Sequence, residues 1–455
     1  MYKDEYKDCL TYIDTYWDRV THKPEKKIIN KHVVTIPHTY ISPNVKWVGK
    51  FGYMFYWDTF FMFRGLIDTK REWMLQSMVD NFIYLFDKYG IIPNFNGQVS
   101  MGRSQPPFLS SMILDTYNGY YFNAQRKGKL GKMIFDLRPH KQWLKKAVKV
   151  AKHEYEQVWI DPENLYNHNV KDFNLARYGD RDIGYAHSSE LESGWDFTSR
   201  FYNRCDKYLP IDLNVYLYKY ERDFAKIAFH LGEKEEEEKW KQIASKRRKE
   251  INQYLWDEKK GFFYDYNYAS KRISDFLSLA SFTPLWAGLA TREQADRMVK
   301  KLHIFETDYG LVIGAKQSLA PKVDLDEIPL RFRAALKEVL KPKQWDYPNI
   351  WPPMEYLTVI GLLKYGYVED AKRIMEKSVK ANATIYRKYH TFLEKIHGET
   401  GDKADTFHYD LQEGFGWTNA VFYRYVHILD DINSGKDIYK QPKAENPPFG
   451  LSILH

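Results

Sequence analysis

The chain has 455 residues and a formal net charge of +8. Its 44% hydrophobic and 28% charged residues are typical of a globular protein with a large core, and they exclude general disorder. The 68 Lys and Arg residues are interspersed with 60 Asp and Glu residues, so composition argues against a nucleic-acid-binding protein. The 17% aromatic content is unusual, and it predicts rings that either fill a large core or line a sugar-sized cleft.

The first residues, 1–5, are charged and no apolar stretch follows them, so we predict no secretory signal. Two cysteines, Cys9 and Cys205, are too few for a disulfide framework or a metal cluster. The longest uncharged run, 276–291, is short and contains Pro284 and Gly288, so no membrane span is expected. These features together predict a cytoplasmic protein.

Further along the chain, apolar residues three and four positions apart predict helices. One such stripe falls in residues 240–255 and another in 368–379. The charged run 233–249 passes from acids to bases, as suits the dipole of a solvated helix. Strand-like stretches are few, and 261–266 is interpreted as a hairpin between helices. No low-complexity linker divides the chain, which favours one domain of helical hairpins over residues 1–455, with loops that converge on a site.

The loops between the predicted helices combine Trp with Asp, Asn, Gln and Arg. Sugars present flat C–H faces to aromatic rings, and their hydroxyls need paired donors and acceptors. A single Trp-Asp pair is weak support for a sugar site, but a recurring combination is stronger. The segments are 56–58, 93–94, 103–107, 192–196, 344–349 and 412–419.

Cleavage of a glycosidic bond commonly requires two carboxyl groups, one protonated and one ionised. Asp196 lies between Trp195 and Phe197, and apolar neighbours raise the pKa of a carboxyl toward that of a protonated acid. From the residues alone, a catalytic acid and a buried Asp that accepts backbone amides fit equally well.

The same segments, in the same order, resemble the trehalases of glycoside hydrolase family 37. The resemblance rests on Trp57-Asp58, on the 103–107 and 192–199 segments, on Asp212-Leu213-Asn214, and on 344–353 and 414–419. It covers roughly residues 45–425, and leaves 1–40 and 427–455 as peripheral extensions. It implies an all-α (α/α)6 toroid with long active-site loops and minor β-hairpins, and inverting hydrolysis of trehalose or a similar small α-glucoside without a metal or other cofactor.

The resemblance also implies site residues. Asp196 takes the position of the general acid and Glu394, followed by Lys395, that of the general base; Glu399 in the same loop is the rival base. An inverting pair leaves room for a water, with carboxyls ~6.5–9.5 Å apart. For Gln105 and Trp417 a packing role is as compatible as ligand contact. The expected substrate-binding residues are Lys50, Phe51, Trp57, Asp58, Asn94, Arg103, Gln105, Arg177, Trp195, Trp345, Asp346, His408 and Trp417.

Departures from the family pattern concern the leaving-group side. Lys50 stands where the family has Arg, Ile350 replaces a small residue, and His408 stands at an acidic position. These changes raise positive charge, so an anionic leaving group such as glycerate is an alternative, as in the related glucosylglycerate and mannosylglycerate hydrolases. The loop 396–409 contains Gly398 and Gly401, which fit both a mobile loop and simple turns, so the sequence leaves open whether it closes over substrate.

A further alternative is a carbohydrate-binding relative that lost catalysis, although the presence of both Asp196 and Glu394 argues against it. The sequence lacks a Gly-rich phosphate-binding motif and a His-Glu-x-x-His motif. We therefore expect a small carbohydrate as the partner and neither a nucleic acid nor a membrane.

Overall fold

A computed structural model describes residues 1–24, 32–44, 52–126, 138–180, 186–319, 341–405 and 410–436. Three expected substrate-binding residues, Lys50, Phe51 and His408, lie outside these ranges. The helices, numbered in chain order, are α1 Tyr2–Glu5, α2 Lys7–Arg19, α3 Tyr56–Phe63, α4 Trp73–Tyr89, α5 Leu109–Arg126, α6 Arg138–Glu154, α7 Ala186–Glu192, α8 Ile211–Leu231, α9 Lys234–Leu255, α10 Thr283–Ala287, α11 Arg292–Val299, α12 Pro352–Lys364, α13 Val368–Tyr389 and α14 Gly416–Asn433.

Six of these helices form a closed inner ring. Helix α3 packs against α5, α5 against α8, α8 against α10, α10 against α12, α12 against α14, and α14 returns to α3. Every residue of α3 is buried, and so is nearly every residue of α12. A helix that is apolar on all sides needs partners on all sides, and the ring supplies them. This is the all-α (α/α)6 toroid that the sequence predicts.

The outer helices are amphipathic, with one face on the ring and one in water. In α13 the buried face includes Ala371, Ile374, Met375 and Val379, which confirms the stripe seen in the sequence. In α9, Trp240, Ala244, Ile251 and Leu255 are likewise buried. Inner and outer helices alternate along the chain, as pairs α3/α4, α5/α6, α8/α9, α10/α11 and α12/α13.

The turn between α8 and α9 shows how such a hairpin is made. Gly232 has a left-handed backbone with φ of 80°, and its N–H caps the carbonyls of Ala228 and Phe229. Glycine adopts this conformation without steric cost, which allows the chain to reverse within three residues. The outer helix then runs back along the inner one.

The N-terminal helices α1 and α2 pack against α14, so that α2 stands in the outer position of the sixth hairpin. Four residues of α2 are buried: Cys9, Ile13, Tyr16 and Trp17. The Tyr16 hydroxyl donates to the carbonyl oxygen of Pro43 at 3.0 Å. The described part of residues 1–40 thus lies outside the ring but shares its core, whereas the division of the chain into one domain with peripheral ends stays a prediction.

Strands are short and lie between the helices. Residues 261–266, expected to be one hairpin, instead supply strands to two small antiparallel sheets: β7 pairs with β6, and β8 pairs with β5 and β9. None of the described helices is both long and apolar enough to cross a membrane. The strands are β1 Thr21–His22, β2 Tyr40–Ile41, β3 Asn169–Val170, β4 Leu175–Ala176, β5 Tyr208–Leu209, β6 Trp256–Asp257, β7 Phe262–Phe263, β8 Tyr266–Asn267, β9 Arg272–Ile273, β10 Asn349–Ile350 and β11 Ile396–His397.

Candidate active site

The inner helices start at one end of the ring, which we call the mouth. Helices α3, α5, α12 and α14 each begin within, or no more than three residues after, one of the polar and aromatic loop segments found in the sequence. Contacts between these segments show that they converge: the Trp57 ring lies 5.7 Å from that of Trp345 and 6.2 Å from that of Trp417. The N-terminal ends of helices carry partial positive charge, so the mouth favours acidic side chains.

Asp196 lies in the loop between α7 and α8. Gly194 and Phe197 on either side of it both have left-handed backbones, with φ of 73° and 61°. A Cβ atom at Gly194 would lie 2.7 Å from the Trp57 ring, so only glycine fits there. At Phe197 the left-handed conformation is strained, and such strain is concentrated at functional sites. The loop therefore holds Asp196 in a defined position.

The environment of Asp196 disfavours its charged form. Desolvation raises the pKa of this carboxyl to about 7, the positive charge of Arg103 opposes the rise, and the negative charges of Glu190 and Glu394 add to it. Part of the side chain still reaches solvent, because it is intermediate in exposure. Among the described residues, none donates a hydrogen bond to this carboxyl; the contact of Asp196 is through its backbone carbonyl. The group is thus a carboxyl that keeps its proton near neutral pH.

Glu394 is buried in the loop before α14 and has a different neighbour. The Lys395 ammonium lies 3.1 Å from its carboxylate, and Lys395 itself is only 1% exposed. The backbone carbonyl of Glu394 accepts a hydrogen bond from the Trp417 indole at 2.8 Å. An adjacent cation favours the ionised form of a carboxyl. Asp196 and Glu394 therefore lie in different electrostatic environments.

Asp58 in the first turn of α3 is a third carboxyl at the mouth. Desolvation raises its pKa well above the usual value, and the charges of Glu394 and Asp196 both add to the rise. The three carboxyls consequently sense one another and belong to one site, so the structure brings the expected acid and base together. No group of three potential ligand residues in the described ranges has a geometry that would hold a metal ion.

Indole rings form the floor of the mouth. Trp345 stacks on Trp351 with ring centroids 3.8 Å apart, and Trp195 lies 5.4 Å from Trp345. Trp195 has no exposed surface, and the Arg200 guanidinium covers its other side at 4.5 Å. A role of Trp195 in sugar binding, which stays a prediction, would be indirect in this conformation. The aromatic excess thus supplies a rigid base beneath the carboxyls.

Other expected substrate-binding residues also have protein partners. Asp346 accepts hydrogen bonds from the backbone N–H of Ser199 at 2.8 Å and of Lys343 at 2.8 Å, and from the hydroxyls of Thr198 and Ser199. These four donors occupy its oxygens, so Asp346 ties the acid loop to the 343–346 segment. A direct sugar contact by Asp346 stays a prediction.

Asn94, Gln105 and Arg103 face the same mouth from the loops before α5. The Asn94 side chain donates to the backbone carbonyl of Leu191 at 3.3 Å. The Gln105 side-chain oxygen accepts from the backbone N–H of Trp57 at 3.1 Å. Arg103 donates to the Ser188 hydroxyl at 3.2 Å and its guanidinium lies 3.7 Å from Asp180, while its buried Nε has no protein partner.

Arg177 points elsewhere in this structure. Its guanidinium donates to the carbonyl of Asp206 at 2.6 Å and lies 6.0 Å from the Tyr268 ring. None of its described contacts is with Asp196 or Glu394, so its expected role at the sugar remains a prediction.

The rival base Glu399 is an exposed residue of the turn after β11. It pairs with Lys316 at 3.0 Å and accepts a hydrogen bond from the Tyr347 hydroxyl. These contacts lower the pKa of Glu399. Its side chain lines an open groove of about 590 Å³ with Asp308 and Tyr309, and none of its described contacts is with Asp196. The geometry thus favours Glu394 over Glu399 as the partner of Asp196.

Several supporting residues were not identified as functional from the sequence. Arg200 is fully buried and forms two hydrogen bonds each with Asp212 and Asp265. Glu192 accepts from the backbone of Ser104 and Gly179 and from the His168 ring. Glu192 lies in the 192–199 segment that resembles the family, and this resemblance could have identified it. Arg200 could not be identified in this way, because its role follows from contacts with Asp212 and Asp265 that form only in the folded chain.

Comparison with known proteins agrees with this geometry. The sequence profile of the trehalase family matches residues 2–433. The solved structure of neutral trehalase Nth1 from Saccharomyces cerevisiae is similar, with 26% identity and a TM-score of 0.68 over 87% of this chain and 75% of that chain. The GH63 mannosylglycerate hydrolase from Thermus thermophilus, in complex with glucose, matches 92% of this chain and 99% of that chain with a TM-score of 0.59. At 16% identity the latter likeness concerns the fold alone. The chain therefore belongs to the trehalase family and is a glycoside hydrolase.

Proposed function

We propose that this glycoside hydrolase cleaves trehalose, or a similar small α-glucoside, with inversion of the anomeric centre and release of glucose. Asp196 is the general acid and Glu394 the general base. The observation that carries the proposal is the contrast between the two carboxyls: burial raises the pKa of Asp196 to about 7, whereas Glu394 has an ammonium 3.1 Å away. One group can hold a proton at the pH at which the other is ionised.

In this reaction Asp196 donates its proton to the glycosidic oxygen as the C–O bond breaks. Glu394 removes a proton from a water that attacks the anomeric carbon from the opposite face. The water forms the new C–O bond, so an α-linkage releases a β-sugar. The pair is expected to titrate as a unit, because each charge acts on the other.

The remaining residues of the site would hold the sugar whose bond is cut. Trp57 and Trp345 present ring surface, and Asp58, Asn94 and Arg103 supply polar groups. Support comes from the Asp58 carboxyl, for which the only hydrogen bond we find in the described ranges is from its own backbone N–H. Groups left without protein partners are available to hydroxyls.

A second candidate is a small α-glycoside with an anionic aglycone such as glycerate. The N-terminal ends of the inner helices at the mouth, together with Arg103 and Lys395, create a setting that tolerates an anion. A mannosylglycerate hydrolase of the same fold is described in complex with Tris and D-glycerate, at 16% identity. This candidate concerns only the leaving group and uses the same two carboxyls.

A cytoplasmic location is part of the proposal. Both cysteines are free thiols and both are buried, as is compatible with a reducing compartment.

The test follows hydrolysis of trehalose and of glucosylglycerate by NMR, with the wild-type enzyme and two variants. We expect β-glucose as the first product, and a fall in kcat of about 10²–10⁴-fold in both Asp196→Asn and Glu394→Gln. Glu399→Gln is the matched control and should stay within about threefold of wild type, since Glu399 is exposed and its known contacts are with other residues.

Unchanged hydrolysis in either active-site variant would refute the role assigned to that residue. Initial release of α-glucose would refute inversion. A strong preference for trehalose would exclude the anionic aglycone, and a strong preference for glucosylglycerate would exclude trehalose as the main substrate.

A further inference from the structure

We propose that Gln344 and Lys395 are positioning residues that join the general acid to the general base. The inference rests on the proposed function and extends it to two side chains that do not touch the reacting bond. Gln344 precedes the expected sugar-binding residues Trp345 and Asp346, and Lys395 follows Glu394. We call the pair the Gln344–Lys395 bridge.

The bridge is a chain of direct contacts from one carboxyl to the other. The Gln344 Nε2 atom donates to the backbone carbonyl of Asp196 at 2.8 Å. Its Oε1 atom accepts from the Lys395 ammonium at 3.5 Å, and that ammonium lies 3.1 Å from Glu394. The positions of Asp196 and Glu394 are thus linked through one amide and one ammonium, although the two residues are far apart in sequence.

The amide can satisfy both contacts in one orientation only. The carbonyl of Asp196 accepts hydrogen bonds and the ammonium of Lys395 donates them, so the Gln344 nitrogen must face Asp196 and its oxygen must face Lys395. Leucine would provide neither group, and glutamate would provide only acceptors. A glutamine therefore has a specific chemical reason to stand at this position.

The bridge is itself held rigidly. The backbone carbonyl of Gln344 accepts from Asn349 at 2.8 Å and from the Trp351 indole at 2.9 Å. The Lys395 ammonium lies 4.6 Å above the ring of the same Trp351. Gln344 and Lys395 are each only 1% exposed. Side chains held in one conformation by such contacts keep the groups they bind in fixed positions.

Lys395 also sets the charge balance between the two carboxyls. The charged groups that act on Asp196 are Arg103, Glu190, Glu394 and Lys395, while Asp58 senses Glu394 and Asp196. The positive charge of Lys395 lowers the pKa of Asp196 and favours the ionised form of Glu394. Removal of this cation would make both carboxyls harder to ionise.

The first test is the pH dependence of kcat/KM in Lys395→Met. The acidic limb reports ionisation of the base and the basic limb that of the acid. We expect both limbs to move to higher pH because both carboxyls lose the same cation, and the acidic limb should move further because the ammonium lies 3.1 Å from Glu394. A residue that is only structural would lower activity or stability without moving the limbs. Lys316→Met is the matched control, since it removes a lysine 3.0 Å from the exposed Glu399 and should leave the profile unchanged.

The second test is Gln344→Leu, which removes the neutral part of the bridge. We expect kcat to fall about 10²-fold with KM within about threefold of wild type, because misplaced catalytic groups slow the chemical step more than binding. The two limbs should stay near their wild-type pH, since no charge is removed. Circular dichroism and thermal unfolding of each variant establish that it is folded.

Unmoved limbs in Lys395→Met would overturn the electrostatic part of the proposal, and wild-type kcat in Gln344→Leu would overturn the positioning part. If Lys395→Met does not fold, Lys395→Arg replaces it: the charge stays, so the limbs should not move while kcat falls, and a profile shifted upward would contradict the proposal. Failure of the proposed function is recognised separately, because Asp196→Asn and Glu394→Gln would then retain hydrolysis.

Discussion

The two ends of the helical ring hold different sets of charged groups. The mouth gathers the carboxyls Asp58, Asp196 and Glu394. Toward the far end, the half-buried lysines Lys219, Lys226 and Lys364 sense one another together with the buried carboxyls Asp115 and Asp223. Helix N-termini favour negative groups and C-termini favour positive groups. The mouth thus gathers mainly carboxyls, whereas the far end mixes lysines with carboxyls.

The charges at the two ends also differ in their partners. At the far end Lys219 pairs with Asp223, and Lys364 donates to the carbonyl of Trp286 at 2.7 Å. At the mouth the Asp196 carboxyl has no hydrogen-bond donor within the described ranges. A buried polar group without a protein partner carries a cost that a ligand can relieve. Lys219 and Lys364 at the far end thus have partners within the protein, whereas the Asp196 carboxyl at the mouth can still bind a substrate.

Burial shifts the pKa of both kinds of group toward neutrality. Desolvation raises the pKa of Asp196 to about 7 and lowers that of Lys364 to about 7. The direction differs because burial disfavours the charged form, which is the deprotonated one for an acid and the protonated one for an amine. This difference can be tested by stability measurements that need no substrate.

The largest effect is expected from removing Arg200, whose buried guanidinium forms ion pairs with Asp212 and Asp265. Arg200→Met should cost about 3–5 kcal/mol in the free energy of unfolding, because Asp212 and Asp265 are then left buried without their cation. Guanidinium denaturation provides the measurement. The matched control is Arg204→Met, which removes a solvent-exposed guanidinium 3.2 Å from Asp206 and should leave stability nearly unchanged. Equal losses in both variants would contradict the supporting role of Arg200.

The second prediction concerns the unpartnered acid. Its raised pKa means that the native state keeps a proton which the unfolded chain releases near its usual value of 3.8, so stability falls as pH rises from about 4 to 7. Asp196→Asn removes this cost and should raise the free energy of unfolding by about 1–3 kcal/mol at pH 8, with no gain at pH 4. Under the proposed function, activity should fall in the same variant.

The control for that experiment is Asp402→Asn. Hydrogen bonds from Lys388 and Tyr389 lower the pKa of Asp402 to about 2, so its contribution to stability is present at neutral pH and lost on acidification. This exposed substitution should therefore reduce stability slightly at pH 8, with the opposite sign. A destabilised Asp196→Asn at pH 8 would refute the view that the mouth stores an unfavourable buried carboxyl.

The smallest effect is expected at the far end. The lowered pKa of Lys364 means that the unfolded chain binds more protons between about pH 7 and 10.5, so stability rises with pH across that window. Lys364→Met should be favourable relative to wild type at pH 6, and this advantage should shrink by about 1–2 kcal/mol by pH 10. Thermal unfolding at the two pH values measures the trend, which runs opposite to that of Asp196→Asn. An advantage that grows with pH would contradict the comparison of the two ends.

Much of the fold could be predicted because its determinants are local. The stripes in 240–255 and 368–379 became buried faces of α9 and α13, since a period of 3.6 residues is a property of one helix. The family motifs indicated Asp196 and Glu394 before any contact was known. The hairpin at 261–266 was less successful, because this segment is divided between two successive local hairpins, β6/β7 and β8/β9, and β8 also pairs with the distant β5.

Helical periodicity and the order of motifs that resemble the trehalases determined the class of this protein, a helical glycosidase, and predicted an acid–base pair in its loops. The tertiary structure decided which carboxyl stands beside a lysine, which arginine is clamped by two aspartates, and how an N-terminal helix joins the sixth hairpin. These features depend on residues distant in sequence whose proximity arises only when the ring closes. Charge preference follows from burial and neighbours, and neither is encoded at a single position.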